Sequence, residues 1–288
     1  MIRLKAFAKL NLVLEVLGRR SDGYHDISSI MQTVSLHDVV TIEPADSIRL
    51  NSSMPGVDDR DNLALRAAQI LKEVTGCKPG AVIGLEKHIP SGAGLGGGSS
   101  DAAAVLRGLN ILWELGLPLE KLAEIGAGLG SDVPFFIYGG TCLAEGRGER
   151  ITPLDDPGQA WFVLLRPEVR IPPRKTAALY SMLGPEHYSD GAACAQAMKQ
   201  LQSGIDRGQQ LVFNVFETVM SSAYPGLDRY IQEFLRAGAP AVHLAGSGPV
   251  LFTMLNNERQ TSDIHAGLLA QRMESHMVTS VGRQDIGR

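Results

Sequence analysis

Apolar and polar residues alternate through the first part of the chain in the pattern of β-strands. The alternation covers Ile2 to Leu17 and returns over Ile27 to Val34 and over Val39 to Ile42. In the first segment Lys9 and Asn11 are two residues apart, so a strand would place both side chains on one face. Two interpretations stay open for this pair, because an edge strand with a solvated face and a polar site on a buried strand share this pattern.

Helical spacing replaces the alternation in the next segments. The residues that follow Asp61 and Asn62, either of which would make a good N-cap, keep their apolar positions on one face until Gly76. A further apolar stripe predicts a helix that ends near Gly116, and Leu119 to Ala127 predicts a shorter one.

The second half of the chain mixes short strands with helices. A change of composition at Asp155-Asp156-Pro157-Gly158 predicts a boundary that divides the chain into residues 1–156 and residues 157–288. Strands and helices alternate without the regular spacing of βαβ units, which favours an α+β fold over a doubly wound sheet. The elements predicted beyond the boundary are strands at Trp161–Leu165 and Met277–Ser280, helices from near Thr176, at Leu227–Ala237 and at Thr261–Arg272, and a strand, glycine turn and strand at Val242–Phe252.

Composition limits the classes of protein that the chain can represent. With 288 residues, 44% of them hydrophobic, it can bury a sizeable core, and a net charge of −4 argues against a broad nucleic-acid surface. No apolar run is long enough to span a bilayer and no signal peptide is expected, which predicts a cytoplasmic protein. The three cysteines are widely spaced without a CxxC pair, so we expect reduced thiols and no zinc site.

The strongest candidate for chemistry is the glycine-rich segment from Pro90 to Asp101. Five glycines lie within seven residues of it, and a helix-forming alanine run follows. Glycine backbone can approach a polyanion closely, and a helix N-terminus aims free N–H groups and a positive dipole end at it. The segment therefore predicts a site for nucleotide phosphates, with Ser99 or Ser100 capping the helix and Asp101 in its first turn.

Three known phosphate-loop patterns compete for this segment. A Walker A loop needs a lysine after its last glycine, but Ser99 and Ser100 stand there. The string Gly92-x-Gly94-x-x-Gly97 matches a dinucleotide fingerprint by letter, but the acid expected about twenty residues further on falls in a loop and not at a strand end. A protein-kinase loop needs downstream HRD and DFG motifs, and the sequence has neither.

Four other residues allow both a bland and a functional interpretation. Tyr24 and His25 end a polar turn and could stack against a base, although packing on the domain surface is more common for such a turn. Lys87 could reach a phosphate, but a surface lysine at a strand end is the default. Asp132 could act near reacting groups, yet its position before an apolar run favours a helix N-cap.

Read as a whole, the glycine segment resembles the second motif of the GHMP small-molecule kinases, which include galactokinase, homoserine kinase and mevalonate kinase. Two further blocks carry the same resemblance in the right order. The segment Ala8–Leu12 is similar to the N-terminal motif of the family, and Leu244–Pro249 is similar to its C-terminal glycine motif. The resemblance implies a two-domain α+β fold, with an N-terminal domain like domain 2 of ribosomal protein S5 and a ferredoxin-like C-terminal domain.

Three more blocks narrow the resemblance within the family. Asp22-Gly23-Tyr24-His25, Asp61-Asn62-Leu63 and Gly130 to Phe136 resemble the kinase of the non-mevalonate route to isoprenoids. This implies transfer of the γ-phosphoryl group of ATP, with Mg²⁺, to the C2 hydroxyl of a cytidine diphosphate derivative of methylerythritol.

The same resemblance assigns roles to the residues around the acceptor. Asp132 matches the catalytic base of the family and Lys9 its partner, which orients the hydroxyl, so the bland preference is reversed at both positions. Asn11 matches a residue near the substrate hydroxyls. For the cytidine pocket, Tyr24 matches a residue that stacks on the base, His25 one that contacts its edge, and Thr176 and Tyr180 a pair that closes the pocket from the second domain.

On the nucleotide side, the glycine segment would wrap the ATP phosphates, and Gly246 to Gly248 would face the active site from the second domain. No protein ligand for Mg²⁺ is identified, so phosphates and water would hold most of that ion. The residues expected to bind ATP are Pro90, Ser91, Gly92, Ala93, Gly94, Leu95, Gly96, Gly97, Gly98, Ser99, Ser100, Asn62 and Lys87.

Three alternatives remain beside this kinase. The chain could be another GHMP kinase with a different alcohol substrate, a nucleotide-binding regulator without catalysis, or a dinucleotide-dependent oxidoreductase. The expected partner is a small-molecule substrate, without nucleic acid, membrane or obligate protein partner.

Overall fold

The computed structural model of the chain describes residues 1–52, 62–203 and 212–287. Asp61, one of the two predicted caps, lies outside the described residues. The strands are β1 (Ile2–Arg19), β2 (His25–Ala45), β3 (Arg49–Ser52), β4 (Gly80–Glu86), β5 (Thr141–Gly146), β6 (Arg150–Pro153), β7 (Trp161–Arg166), β8 (Phe213–Asn214), β9 (His243–Leu244), β10 (Leu251–Leu255) and β11 (Glu274–Thr279). The helices are α1 (Leu63–Thr75), α2 (Gly97–Leu112), α3 (Leu119–Ala127), α4 (Val133–Tyr138), α5 (Lys175–Ser181), α6 (Ala192–Ser203), α7 (Met220–Ala223), α8 (Leu227–Arg236) and α9 (Glu258–Ala270).

The first sheet is built on the long antiparallel pair β1 and β2. Its strand order is β3-β4-β2-β1-β8, and the β5–β6 hairpin pairs through β5 with β2. The two predicted strands Ile27–Val34 and Val39–Ile42 are parts of the single strand β2, because an irregularity beside Phe7 and Ala8 lets the ladder continue past the polar residues between them. Since β2 and β8 flank it, β1 is not an edge strand.

Helices α1 to α4 pack on one face of this sheet. Their apolar stripes bury Leu71, Leu106 and Phe135 against strand residues such as Ile83. The bounds of α1 follow from its caps: the Asn62 carboxamide oxygen accepts a hydrogen bond from the N–H of Ala64, and Gly76 ends the helix at a positive φ of 66°.

The second sheet, of order β11-β7-β10-β9, carries the later part of the chain. One core lies between this sheet and β1, where Leu10 and Leu12 meet Phe162 and Phe252. A further core lies under α8 and α9, with Phe234 among its buried side chains. Two glycine-containing turns meet beside these cores. The first lies in the glycine segment around Gly94, and the second, which we call the second glycine turn, is Gly246 to Gly248.

The two halves of the chain also share secondary structure. Strand β8 pairs in parallel with β1, matching Val13 with Phe213. The buried Glu15 carboxylate of β1 accepts hydrogen bonds from the N–H groups of Ala193 and Cys194, in the first turn of α6. The boundary after residue 156 stays a prediction. None of the helices in the described part of the chain combines the length and the apolar content needed to cross a membrane.

Candidate active site

A cleft of about 1400 Å³ collects residues that are far apart in the sequence. Strand β1, the turn before β2, the glycine segment, the turn before α4, helix α5 and the second glycine turn all contribute to its walls. The predicted site residues that line it are Lys9, Asn11, Tyr24, His25, Lys87, Asp132, Thr176, Tyr180 and every residue from Pro90 to Ser99.

The glycine segment ends in an uncapped helix N-terminus at this cleft. Helix α2 begins at Gly97, because Gly96 turns the chain with a positive φ of 75°, and no side chain caps the helix. The N–H groups of its first turn therefore lack partners within the helix and are available to an anion. Geometry and location both fit a nucleotide triphosphate at this site.

The expectation that Ser99 or Ser100 caps α2 is wrong. The helix starts earlier than predicted, so Ser100 lies within it, where its hydroxyl donates a hydrogen bond of 2.6 Å to the carbonyl of Phe7. For the same reason Asp101 lies beyond the first turn. Ser100 thus ties α2 to β1, and it is not among the residues that line the cleft.

The second glycine turn packs directly against the first. A Cβ at Gly94, whose φ is +86°, would lie 2.1 Å from the carbonyl oxygen of Ala245, so no larger residue fits there. Gly246 and Ser247 line the cleft beside this contact, as expected for the C-terminal motif.

Lys9 and Asn11 form a buried polar pair at the floor of the cleft. The solvated-face interpretation is wrong, since the two residues are only 5% and 1% exposed. The Lys9 ammonium donates a 2.6 Å hydrogen bond to the Asn11 carboxamide oxygen, and the Asn11 amide in turn donates to the Ser29 hydroxyl at 2.8 Å. These bonds fix the Lys9 ammonium, and Lys9 lines the cleft.

Asp132 faces that ammonium. Its position is the N-cap position of α4, as the sequence favours, but its carboxylate caps nothing. Instead one carboxylate oxygen lies 3.4 Å from Lys9 Nζ, and 32% of the side chain is exposed. A carboxylate beside a buried cation and open to the cleft can accept a proton from a bound hydroxyl.

Lys87 is not the surface lysine of the default interpretation. Its ammonium contacts the carboxylates of Asp38 and Asp101, both buried, and we call these three residues the Asp–Lys–Asp cluster. Asp38 also accepts hydrogen bonds from the N–H groups of His88 and Ile89, so the cluster fixes the entrance to the glycine segment. Lys87 lines the cleft, but Asp38 and Asp101, which do not line it, balance its charge.

Burial and the neighbouring charges shift the pKa values of two residues in the Asp–Lys–Asp cluster, Asp101 and Lys87. Burial raises the pKa of Asp101 to about 7; the charge of Lys87 opposes this shift and that of Asp38 adds to it. One carboxylate oxygen of Asp101 has no hydrogen-bond partner. Burial by itself would lower the pKa of Lys87. The hydrogen bonds and charges of Asp101 and Asp38 have the larger effect, so the pKa of Lys87 is raised.

Aromatic residues form the other end of the cleft. The His25 ring stacks on Tyr180, with centroids 4.8 Å apart and planes 16° from parallel. Tyr24 is exposed, and the Arg147 guanidinium lies 5.0 Å from the centre of its ring. Burial, with the charge of Arg19 adding to it, lowers the pKa of His25, so the imidazole is neutral at neutral pH. These flat surfaces and hydrogen-bonding edges suit a nucleobase.

The structure places the remaining predicted residues, and some unpredicted ones, relative to the cleft. Asn62 caps α1 and is not among the residues that line the cleft, although the next residue, Leu63, lines it and lies close to Gly98. Thr176 does reach the cleft, where its hydroxyl lies 3.0 Å from that of Ser247. Arg147 and Lys175 also line the cleft, although the sequence did not predict them there. For Lys175, the only hint in the sequence of a basic site was the neighbouring basic residue Arg174, just before α5.

The described part of the chain contributes no protein cage for a metal ion to the cleft. In the described ranges no three His, Cys, Asp or Glu side chains are grouped so that they could hold one. Asp132 could supply a carboxylate oxygen, and Mg²⁺ commonly takes its remaining ligands from phosphate and water. A magnesium ion carried by nucleotide phosphates fits this donor set.

Comparison with known families identifies the class of protein. The N-terminal domain of the GHMP kinases matches residues 62–140, and the C-terminal domain of the GHMP kinases matches residues 191–274. The chain belongs to the GHMP kinase family and is a kinase, and the predicted two-domain α+β fold of that family is confirmed.

Individual relatives narrow the comparison. A protein of Dehalococcoides mccartyi strain 195 named 4-diphosphocytidyl-2-C-methyl-D-erythritol kinase is 43% identical over 285 residues, which cover 99% of this chain and 100% of the relative. A protein of the same name from Geobacillus thermodenitrificans is 44% identical over 274 residues, covering 93% and 92%. Among solved structures, 4-(cytidine 5'-diphospho)-2C-methyl-D-erythritol kinase superposes with a TM-score of 0.83 at 33% identity, over 98% of this chain and 100% of that one.

Proposed function

We propose that this kinase transfers the γ-phosphoryl group of ATP to the C2 hydroxyl of 4-diphosphocytidyl-2-C-methyl-D-erythritol, giving the 2-phosphate and ADP in the non-mevalonate isoprenoid pathway. The observation that carries the proposal is the Asp132 carboxylate, 3.4 Å from Lys9 Nζ, in one cleft with the uncapped N-terminus of α2. The names of relatives with 39% to 44% identity support the choice of substrate.

The glycine segment binds the ATP phosphates through backbone N–H groups at the start of α2. Phosphoryl transfer depends mainly on positioning and on charge stabilisation, which the helix N-terminus and Lys9 supply. When bound, Mg²⁺ neutralises charge on the phosphates, and Asp132 and Ser99 are the residues we expect nearest to it.

Asp132 accepts the proton of the C2 hydroxyl. As it does so, the oxygen of that hydroxyl bonds to the γ-phosphorus, and the bond from the γ-phosphorus to the ADP oxygen breaks. Lys9, held by Asn11, orients that hydroxyl, so a small error in its position would reduce the rate strongly. Asn11 is itself fixed by Ser29 and contacts the substrate hydroxyls.

The aromatic end of the cleft selects the nucleotide part of the acceptor. Tyr24 stacks on cytosine, and the neutral His25 imidazole reads its hydrogen-bonding edge. Tyr180 backs His25 through their ring stack, and Thr176 closes the pocket from α5. We expect the enzyme to act in the cytoplasm without an obligate protein partner, because both of its substrates are small soluble molecules.

A substrate panel with one active-site variant tests the proposal. The purified protein should consume ATP with the cytidine substrate and not with homoserine or mevalonate. Asp132→Asn should lose several orders of magnitude in kcat while still binding a non-hydrolysable ATP analogue. Asp155→Asn, which changes an exposed carboxylate, is the control and should retain full activity.

Three results would count against the proposal. Turnover with a plain alcohol but not with the cytidine substrate would assign the chain to another branch of the family. Unchanged kcat in the Asp132 variant would mean that Asp132 is not the base, and nucleotide binding without turnover of any substrate in the panel would favour a regulator that binds nucleotide without catalysis.

A further inference from the structure

We propose that Lys175 is a second cationic contact for phosphate in the cleft and reads the γ-phosphoryl group that distinguishes ATP from ADP. The inference rests on the proposed function, because it takes the glycine segment as the ATP phosphate site. The resemblance assigned no role to this residue, which precedes the predicted Thr176 position.

The geometry places the Lys175 ammonium between the two glycine turns. It donates a hydrogen bond of 2.9 Å to the carbonyl of Gly92 and another to the carbonyl of Gly248. Gly92 belongs to the segment that would wrap the phosphates, and Lys175 itself lines the cleft. An ammonium has three N–H donors, so these two carbonyls leave one for a ligand.

The charge of Lys175 is not balanced as the other two cleft lysines are. Lys9 faces Asp132, and Lys87 lies between two carboxylates, but within the described ranges no carboxylate oxygen lies in ion-pair distance of Lys175 Nζ. Its hydrogen-bond partners are neutral carbonyls. A partly buried cation held in this way is a site for an anion, and the proposed ligands are polyphosphates.

The electrostatics of the site agree with this placement. Burial lowers the pKa of Lys175 to about 8; the charge of Lys9 adds to the shift, while Asp132 opposes it. Lys175 is therefore within electrostatic reach of both residues of the reaction centre. A phosphate oxygen beside the ammonium would offset the repulsion from Lys9.

A purely structural role makes a different prediction. If Lys175 only ties the two glycine turns together, its loss would weaken every nucleotide equally. If it contacts the γ-phosphoryl group, its loss weakens triphosphate binding and leaves ADP binding unchanged. The ratio of the two dissociation constants separates these roles.

Lys175→Gln and Lys175→Arg form the test, because glutamine retains N–H donors for the carbonyls but no charge, whereas arginine retains the charge. Titration calorimetry would measure the Kd of ADP and of the β,γ-imido analogue of ATP. For Lys175→Gln we expect the analogue to bind about tenfold more weakly, as for the loss of one charged hydrogen bond, with ADP unchanged. Lys175→Arg should recover most of the difference.

Lys72→Gln is the matched control. Lys72 also donates to a backbone carbonyl, that of Lys78 at 2.8 Å, but it lies on α1 and does not line the cleft. Its variant should leave both dissociation constants unchanged.

A measurement on the unaltered protein tests the proposal without relying on the folding of a variant. Amine-reactive labelling followed by mass spectrometry should show that the ATP analogue protects Lys175 and that ADP does not. Equal protection by both nucleotides, no protection by either, or an unchanged ratio of dissociation constants in Lys175→Gln would overturn the inference. If the unaltered protein bound neither nucleotide, the proposed function itself would be wrong.

Discussion

Asp101→Asn tests the Asp–Lys–Asp cluster most directly. The substitution keeps an oxygen that can accept a hydrogen bond from Lys87 and removes one ionisable group. Asp38, whose side chain has no exposed surface, keeps its backbone hydrogen bonds and its contact with Lys87. The variant therefore removes one of the two buried carboxyls that share the Lys87 ammonium.

The magnitude follows from the pKa of Asp101, which burial raises from 3.8 to about 7. Because the folded chain holds this proton more tightly, the associated stability is fully present below the unfolded pKa and is lost as the pH rises through the folded pKa. One pKa unit corresponds to about 1.4 kcal/mol, so the free energy of unfolding should fall by roughly 3 kcal/mol between about pH 5 and pH 8. Asp101→Asn should remove this fall.

Urea unfolding between pH 5 and pH 8 measures the effect, and the fluorescence of the two tryptophans reports the transition. The unaltered protein, Asp101→Asn and the exposed-site control Asp155→Asn should be compared at each pH. The control should follow the unaltered protein, while Asp101→Asn should have the shallower slope and the greater stability at pH 8.

Two outcomes would refute this reasoning. Equal slopes in the unaltered protein and in Asp101→Asn would mean that Asp101 does not titrate in this interval. A lower stability of the variant at every pH would mean that Asp101 is ionised throughout and that its ion pair with Lys87 dominates.

Two other perturbations test the glycine contact and the thiols. Gly94→Ala should lower the free energy of unfolding by more than about 1 kcal/mol and weaken ATP binding, because its Cβ would meet the Ala245 carbonyl. The matched control is Gly116→Ala, at a similar positive φ with open space around it. An equal effect of both substitutions would exclude the contact with Ala245 as the cause. Iodoacetamide at pH 8 should add one group to the native chain, at Cys77, and three after unfolding, since burial raises the pKa of the other two thiols to about 12; labelling of a second native thiol would contradict this.

Local patterns predicted much of the secondary structure. Helix α3 has the bounds Leu119–Ala127 that its apolar spacing indicates, and α1 runs between its Asn62 cap and Gly76. The signals for these elements lie within the elements themselves or beside them. The glycine segment could be predicted for the same reason, because the glycines that its turn requires lie close together in the sequence.

Features that depend on distant partners were not predictable in this way. Lys87 looks like a surface residue until β2 brings Asp38, 49 positions earlier, to its ammonium. The sequence could not show that Lys9 is buried, because its burial depends on Asn11, on Asp132 and on the glycine segment packing over β1. The error at Ser99 and Ser100 is smaller in scale: a glycine with positive φ started the helix before the residues that usually cap one.

The pairing of β8 with β1 has a consequence for the order of events during synthesis. Val13 is made long before its partner Phe213, and at ordinary elongation rates the interval is roughly 10 to 40 seconds. During that time the nascent chain exposes an unpaired strand edge, and the Glu15 carboxylate lacks the α6 N–H groups that satisfy it. We expect that a ribosome-bound first half cannot complete its own sheet, and that the active-site strand is secured only when the second half emerges.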